Sequence, residues 1–276
     1  MSHPYLYLKL LLRSSLLLEL DEYELTDTRE QGLVCSFMET SLASAFQPVY
    51  RADGKLVGRE ALLRARWQKY GELPTAVAFD DAVQGNRVVQ FDRLVRIIHL
   101  MNHARNFAEH ELLFLNVHPR LLSSVSDHGR TFERILHFYS VPTSRVVIEI
   151  KEAEDDAVLA EAVSNYRSLG YRIALDDFAA DAAGVERLTR LKPDIVKLDS
   201  SLIRSAADAG ADAESFGRLV SRLRRSGTQV AIKSIETSRQ LKYAAASGVD
   251  LLQGYQLGRP QYASVAHGRL AEVAAD

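Results

Sequence analysis

A single cysteine, Cys35, in a chain of 276 residues excludes an internal disulfide and any zinc site built on thiolates. Tryptophan occurs once, and the seven prolines are scattered rather than gathered into a linker. Neither sign of charge dominates: 34 basic side chains face 36 acidic ones, for a net charge of −2. No global field therefore draws in nucleic acid or anionic lipid, and direct nucleic-acid binding is not expected. The basic cluster Arg222–Arg225 accordingly reads as a solvated helix face. Glycine-rich phosphate loops and a serine in a nucleophile elbow are both missing. His99 and His103 lie one helical turn apart, but no HExxH pattern or third ligand accompanies them, so they read as core or surface residues. Long apolar runs are missing too. Lys9 and Arg13 interrupt the leucine-rich start, YLYLKLLLRSSLLLEL, well short of the ~20 apolar residues a membrane span needs, and it has no small-residue cleavage site. It reads as a segment packing on the domain or on a partner. No membrane span and a reducing, cytoplasmic setting are the expectations.

What is present is 47% hydrophobic residues, enough for a large core. Residues 1–40 read as a leucine-rich N-terminal extension or cap, its acidic stretch LDEYELTDTREQG as a linker, and residues 41–276 as one domain. Within that domain, AFQPVY (45–50) and KLVGREALLRA (55–65) flank the turn RADG as a hairpin. Residues 76–106 have helical spacing, with Val88, Phe91, Leu94, Val95, Ile98 and Met101 three and four apart. Apolar strands at 112–117, 145–150, 172–178, 194–199, 228–235 and 250–258 then alternate with helical stretches. This alternation predicts an α/β fold with parallel strands. Eight strands in one domain of this length predict a closed (β/α)8 TIM-like barrel.

In such barrels the chemistry gathers at the C-terminal ends of the strands. That rule singles out Asn116, Glu149, Glu152, Asp176, Asp177, Lys197, Lys233, Glu236 and Gln253, with Glu60 in the second strand. Adjacent acids such as Asp176 and Asp177 commonly cap a helix or open a turn. Here Glu60, Asn116, Glu149, Asp176 and Asp177 form a set of oxygen donors on four different strands, which hard divalent cations require. Lys197 and Lys233 point at the same rim. An ammonium 4 Å from a carboxylate is attracted by about 4 kcal/mol at an effective dielectric of 20, so it does part of the work of a metal ion.

The segments FQPVY, GREALLR, LNVHP, VIEIKE, LDDF, IVKLD and QGYQLGRP resemble, in order and spacing, the EAL domain, whose active members hydrolyse cyclic di-GMP. The likeness runs from about residue 41 to 262. It implies a barrel whose first strand is antiparallel to the rest. It also implies a first metal, Mg or Mn, on Glu60, Asn116, Glu149 and Asp176, and a second involving Asp176 and Asp177. Lys197 would sit near the scissile phosphate, and Gln253 would line the pocket. Glu152 would steady the loop after Asp177. Gln47, Leu62, Arg64, Glu236 and Pro260 would contact the dinucleotide, Arg64 at a phosphate. Pairing through the barrel's helices, giving a homodimer, is implied as well.

Three departures accompany this likeness. Active members carry Ala-Glu-Gly-Val-Glu where this chain has Ile232-Lys233-Ser234-Ile235-Glu236, so a cation replaces the family's glutamate. The loop Ala179–Gly184 lacks the family's glycine- and serine-rich side chains, and Lys151 stands where the family has threonine. The resulting expectation is a degenerate EAL domain without an intact catalytic set, at most a vestigial metal site, and no required cofactor. It would act as a cyclic di-GMP receptor signalling through a protein partner. The alternatives are an interaction module that has lost the ligand and a weak metal-dependent phosphodiesterase.

Overall fold

The structure is a computed structural model that describes residue 13 and residues 22–124, 129–151 and 156–263. Its first strands lie where the sequence reads as linker. β1 (Tyr23–Thr28) and β2 (Gly32–Phe37) form an antiparallel hairpin, and β2 pairs onward with β3 (Thr40–Arg51). The stretch 23–37 therefore continues the sheet, with Leu33, Cys35 and Phe37 in the core. Polar residues on the outer face of β1 hide its alternation. The leucine-rich start, Arg13 excepted, lies outside the described residues.

β3 and β4 (Leu56–Trp67) pair in an antiparallel ribbon of two 12-residue strands, and β5 (Gly71–Leu73) adds to the free edge of β4. Six strands follow in parallel: β6 (Leu112–Val117), β7 (Val146–Lys151), β8 (Arg172–Asp176), β9 (Ile195–Asp199), β10 (Gln229–Lys233) and β11 (Leu251–Leu252). β11 returns to pair antiparallel with β3, which closes the barrel at eight strands, and β12 (Gln261–Tyr262) lies along β3. The expected antiparallel first strand is thus present as β3. The helical stretch 76–106 divides into Thr75–Gln84 and Val88–Asn106, broken where Asn86 takes a left-handed φ of 54°. The helix Ser201–Ala209 went unread, because only Ile203 and Ala207 are buried along it.

Helix Val88–Asn106 carries polar groups into the core, and each has a structural task. Asn102, fully buried, accepts from the Leu33 N–H and donates to the Leu33 carbonyl, both at 2.8 Å, as a neighbouring strand would. Gly32 lets the chain come this close: at φ 71°, an added Cβ would lie 2.5 Å from the Asn102 Oδ1. His99 Nδ1 bonds to Ser44 Oγ at 2.7 Å, and Arg96 pairs with Asp92 at 2.7 Å in near-complete burial. His103 packs among Phe46 and Phe107. Both histidines are therefore core residues.

Two outcomes follow for stability. Asn102→Ala leaves a buried N–H and C=O of β2 unpaired, and is expected to cost about 3 kcal/mol in denaturant unfolding. Burial, with Arg96 and Arg64 near His99 and Arg145 and Arg59 near His103, lowers both imidazoles from 6.5 to about 3. Between those values the unfolded chain takes up protons that the folded chain refuses, so stability falls as pH falls. The loss is about 1.4 kcal/mol per pH unit for each histidine. His103→Phe is expected to remove one histidine's share of that slope in unfolding curves measured across pH 6 to 4. An unchanged slope would assign the acid sensitivity elsewhere.

Candidate functional site at the barrel mouth

The pleat of the strands builds the site. One layer of the barrel interior is apolar: Val49, Leu112, Phe114, Val147, Ala174, Ile195, Ala231 and Leu251. Side chains two residues apart on a strand share a face. Asn116, Glu149, Asp176, Lys197, Lys233 and Gln253 therefore lie one rung above Phe114, Val147, Ala174, Ile195, Ala231 and Leu251, toward the C-terminal ends. On antiparallel β3 the same step runs backward, from Val49 to Gln47, which sits opposite Glu60 of β4. Below Glu60 the interior position is Gly58, where a Cβ would lie 2.2 Å from the Leu112 carbonyl oxygen. All eight strands so contribute one polar side chain to one ring.

The two ammonium groups of that ring hold four acids, three in the ring and Asp177 beside it. Lys197, only 2% exposed, donates to Glu60 Oε2 and Glu149 Oε1, each at 2.7 Å. Asn116 donates to Glu60 Oε1 at 2.9 Å, and Gln253 donates to Glu60 Oε2 at 2.8 Å. Lys233 reaches Asp176 Oδ1 at 2.7 Å and Asp177 Oδ1 at 2.5 Å, and exposed Lys151 takes Asp177 Oδ2 at 3.0 Å. Asp177 has a left-handed φ of 53° and Ser234, directly after Lys233, one of 61°. These turns set the acid and the lysine facing one another. The Asp181 side chain is occupied in capping helix Ala182–Leu191 through the Gly184 N–H.

The donor set decides which acids ionise. Burial opposes charge on Glu60, but the Lys197 charge and hydrogen bonds from Lys197, Asn116 and Gln253 win and hold it at about 2. Glu149 goes the other way. Burial and the Glu60 charge raise it well above the carboxylate range against the pull of Lys197, and its Oε2 is buried without a partner. Burial would also lower Lys233, yet Asp176 and Asp177 raise it, so it stays charged.

The expected ligand contacts divide between two cavities. Gln47 and Glu236 line a mouth cavity of about 280 Å³ with Glu60, Lys233, Gln253 and Tyr255, the Gln47 amide donating to the Gly258 carbonyl at 3.0 Å. Arg64 stands apart. It lines a second cavity of about 630 Å³ and donates to the Leu63 carbonyl at 3.1 Å. Leu62, two residues from each of Glu60 and Arg64, occupies the ribbon between them, and half-buried Pro260 leads into β12. Glu152 lies outside the described residues. Tyr255, exposed and stacked by the Arg259 guanidinium at 4.3 Å, was not singled out, because a lone aromatic after a strand has no distinguishing spacing.

The ring suits metal unevenly. Glu60, Asn116, Glu149 and Asp176 are hard oxygen donors, and the orphaned Glu149 Oε2 is the atom a cation would use. Asp176 and Asp177 already share the Lys233 ammonium, which repels a second ion. Among the described residues no group of three histidine, cysteine or carboxylate side chains is arranged to hold a metal ion.

A closed eight-stranded barrel with an antiparallel first strand and a ring of acids and amides at its mouth defines a narrow class of protein. The chain belongs to the EAL domain family, whose sequence model matches residues 34–260. It is 31% identical over 150 residues to a probable cyclic di-GMP phosphodiesterase, PdeA, of Escherichia coli, covering 53% of this chain and 20% of that one. It is also similar to the Bacillus subtilis YkuI protein, solved with cyclic di-GMP and calcium, at 26% identity and a TM-score of 0.64 over 80% of this chain and 56% of that one. The EAL domain of FimX from Pseudomonas aeruginosa, solved with cyclic di-GMP, shares the fold at 22% identity and a TM-score of 0.70, over 80% and 91% of the two chains. The chain spans 20% and 38% of the length of the first two curated relatives it matches. Among the described residues no helix is long and apolar enough to cross a membrane.

Removing the tethered cation tests this electrostatic account. Lys233→Ala leaves Asp176 and Asp177 facing without a counter-charge, and millimolar Mn²⁺ is expected to raise its Tm by a few degrees. The unsubstituted chain is expected to respond by less than about one degree, its second site being held by Lys233. Equal responses would mean that Lys233 does not compete with divalent ions.

Proposed function

We propose that this chain binds cyclic di-GMP at the barrel mouth without hydrolysing it, needs no metal ion to do so, and passes the bound state to a protein partner. The observation that carries this reading is the Lys233 ammonium lodged between Asp176 and Asp177. Hydrolysis of a phosphodiester calls for an activated water and a base. A protonated lysine has no lone pair with which to supply the base or to bind a metal. A divalent Mg or Mn ion, if taken up, would rest on Glu60, Asn116, Glu149 and Asp176 and would supply positive charge beside a phosphate. Lys233 at the mouth and Arg64 farther along the ribbon supply that charge themselves, Arg64 as a donor suited to phosphate oxygens. The complex of the Bacillus subtilis relative with cyclic di-GMP supports the ligand class.

A second reading rests on the same neutralisation. Glu60, Asp176 and Asp177 all carry charged partners within the chain, so the barrel is also suited to serve as a scaffold for a partner protein with no ligand at all.

Calorimetric titration of cyclic di-GMP, once with Mg²⁺ and once with EDTA, separates these readings when the ligand is then recovered and chromatographed. Receptor function requires saturable binding in both buffers and intact ligand. Silence in both leaves the scaffold, whose test is recovery of a partner on the immobilised chain. Linear product would establish a phosphodiesterase and overturn the assignment of Lys233.

A further inference from the structure

Asp177 is reached by two ammonium groups from two different strands. Lys233, which ends β10, lies 2.5 Å from its Oδ1, and Lys151, which ends β7, lies 3.0 Å from its Oδ2. Both oxygens of this carboxylate are therefore taken. Asp176, which ends β8, gives its Oδ1 to Lys233 at 2.7 Å.

Strand register brings Lys151 to this place. β7 and β8 run parallel, with Glu149 beside Ala174 and Lys151 beside Asp176. Alternate residues of a strand share a face, so Lys151 stands on the face of Glu149, one step above the ring. β10 lies on the other side of β8, with β9 between them. Lys151 and Lys233 thus approach the two acids from opposite sides.

Their charges add up. Two ammonium groups set +2 against the −2 of Asp176 and Asp177, which is what one divalent ion would bring. The two lysines differ in exposure: the Lys233 side chain is 18% exposed and that of Lys151 55%. An exposed ion pair adds little to stability by itself. Its effect on a competing cation is larger. In water, a single positive charge about 6 Å from a divalent ion weakens binding of that ion about tenfold.

We propose that Lys151 and Lys233 act together as a built-in substitute for a divalent ion, so that loss of Lys233 alone opens the Asp176–Asp177 edge to metal only in part and Lys151 withholds the rest. This rests on the metal-independent reading of the site and adds a second position at which metal is refused. Lys151 has no effect on metal while Lys233 is in place, because the inner lysine already occupies both acids. The two substitutions are therefore coupled rather than additive.

The test titrates Mn²⁺ against the unsubstituted chain, Lys151→Gln, Lys233→Glu, and Lys233→Glu combined with Lys151→Gln or with Lys151→Arg, reading free Mn²⁺ by electron paramagnetic resonance. Lys233→Glu supplies a third carboxylate to an edge that has two. Any ion held by Glu60, Asn116 and Glu149 is common to all five proteins, so the quantity read is the additional equivalent. The unsubstituted chain and Lys151→Gln are expected to take up none at millimolar Mn²⁺. Lys233→Glu is expected to take it up weakly, and the combination with Lys151→Gln about tenfold more tightly. Lys151→Arg keeps the charge and is expected to keep the weak affinity. Raising KCl from about 0.05 to 0.5 M should narrow the tenfold gap, since exposed charges are screened. Lys233→Ala with and without Lys151→Gln provides the same comparison should Lys233→Glu fail to fold. Equal affinities with and without Lys151→Gln would overturn the role of Lys151 and leave metal-independent binding standing. Uptake of the additional ion by the unsubstituted chain would overturn both.

Discussion

A buried ammonium held between two glutamate side chains governs this barrel. Lys197 is screened from water, and the layer beneath it, from Val49 round to Leu251, is entirely apolar. A charge in that position is costly unless it is paired and hydrogen-bonded. Glu60 and Glu149 meet the requirement from β4 and β7, across the barrel interior, and Asn116 and Gln253 complete it by fixing both oxygens of Glu60. Strand register at the mouth thus carries an electrostatic constraint as well as an apolar one. A slip of one residue in β9 would turn Lys197 outward and leave Glu60 and Glu149 facing each other.

Much of the barrel could be read from the chain because its parallel strands are buried on both faces and appear as unbroken apolar runs. LLFLNV is β6 residue for residue, the strand at 145–150 is shifted by one residue, and that at 194–199 begins one residue late. The hairpin β1–β2 is hidden in the sequence because only Tyr23, Leu25 and Thr28 of β1 are covered, which leaves no sustained alternation. It gains its place through Asn102, 69 residues on, a contact that no local pattern announces. The ring residues could be named from their strand ends. The company they keep could not, because the pairings Lys197–Glu60 and Lys233–Asp176 join residues 137 and 57 apart. Arg64, named through the family likeness as a phosphate contact, stands four residues of strand beyond Glu60 and lines the second cavity, along the ribbon.

The backbone at the mouth and the charges on it tell different stories. Asp177 and Ser234 both hold left-handed conformations, which cost a side chain of ordinary type something like 1–2 kcal/mol. Aspartate accepts this region more readily than serine does. The family's motif carries glycine where Ser234 stands, the residue best suited to that φ. The turn has therefore kept the geometry that aims position 233 at Asp176 and Asp177, although it carries a side chain less suited to it. What has changed is the sign of the charge delivered. A glutamate aimed at two aspartates requires a cation between them, whereas a lysine is that cation. In this chain that backbone carries a self-neutralised ring, with the Lys233 ammonium between Asp176 and Asp177.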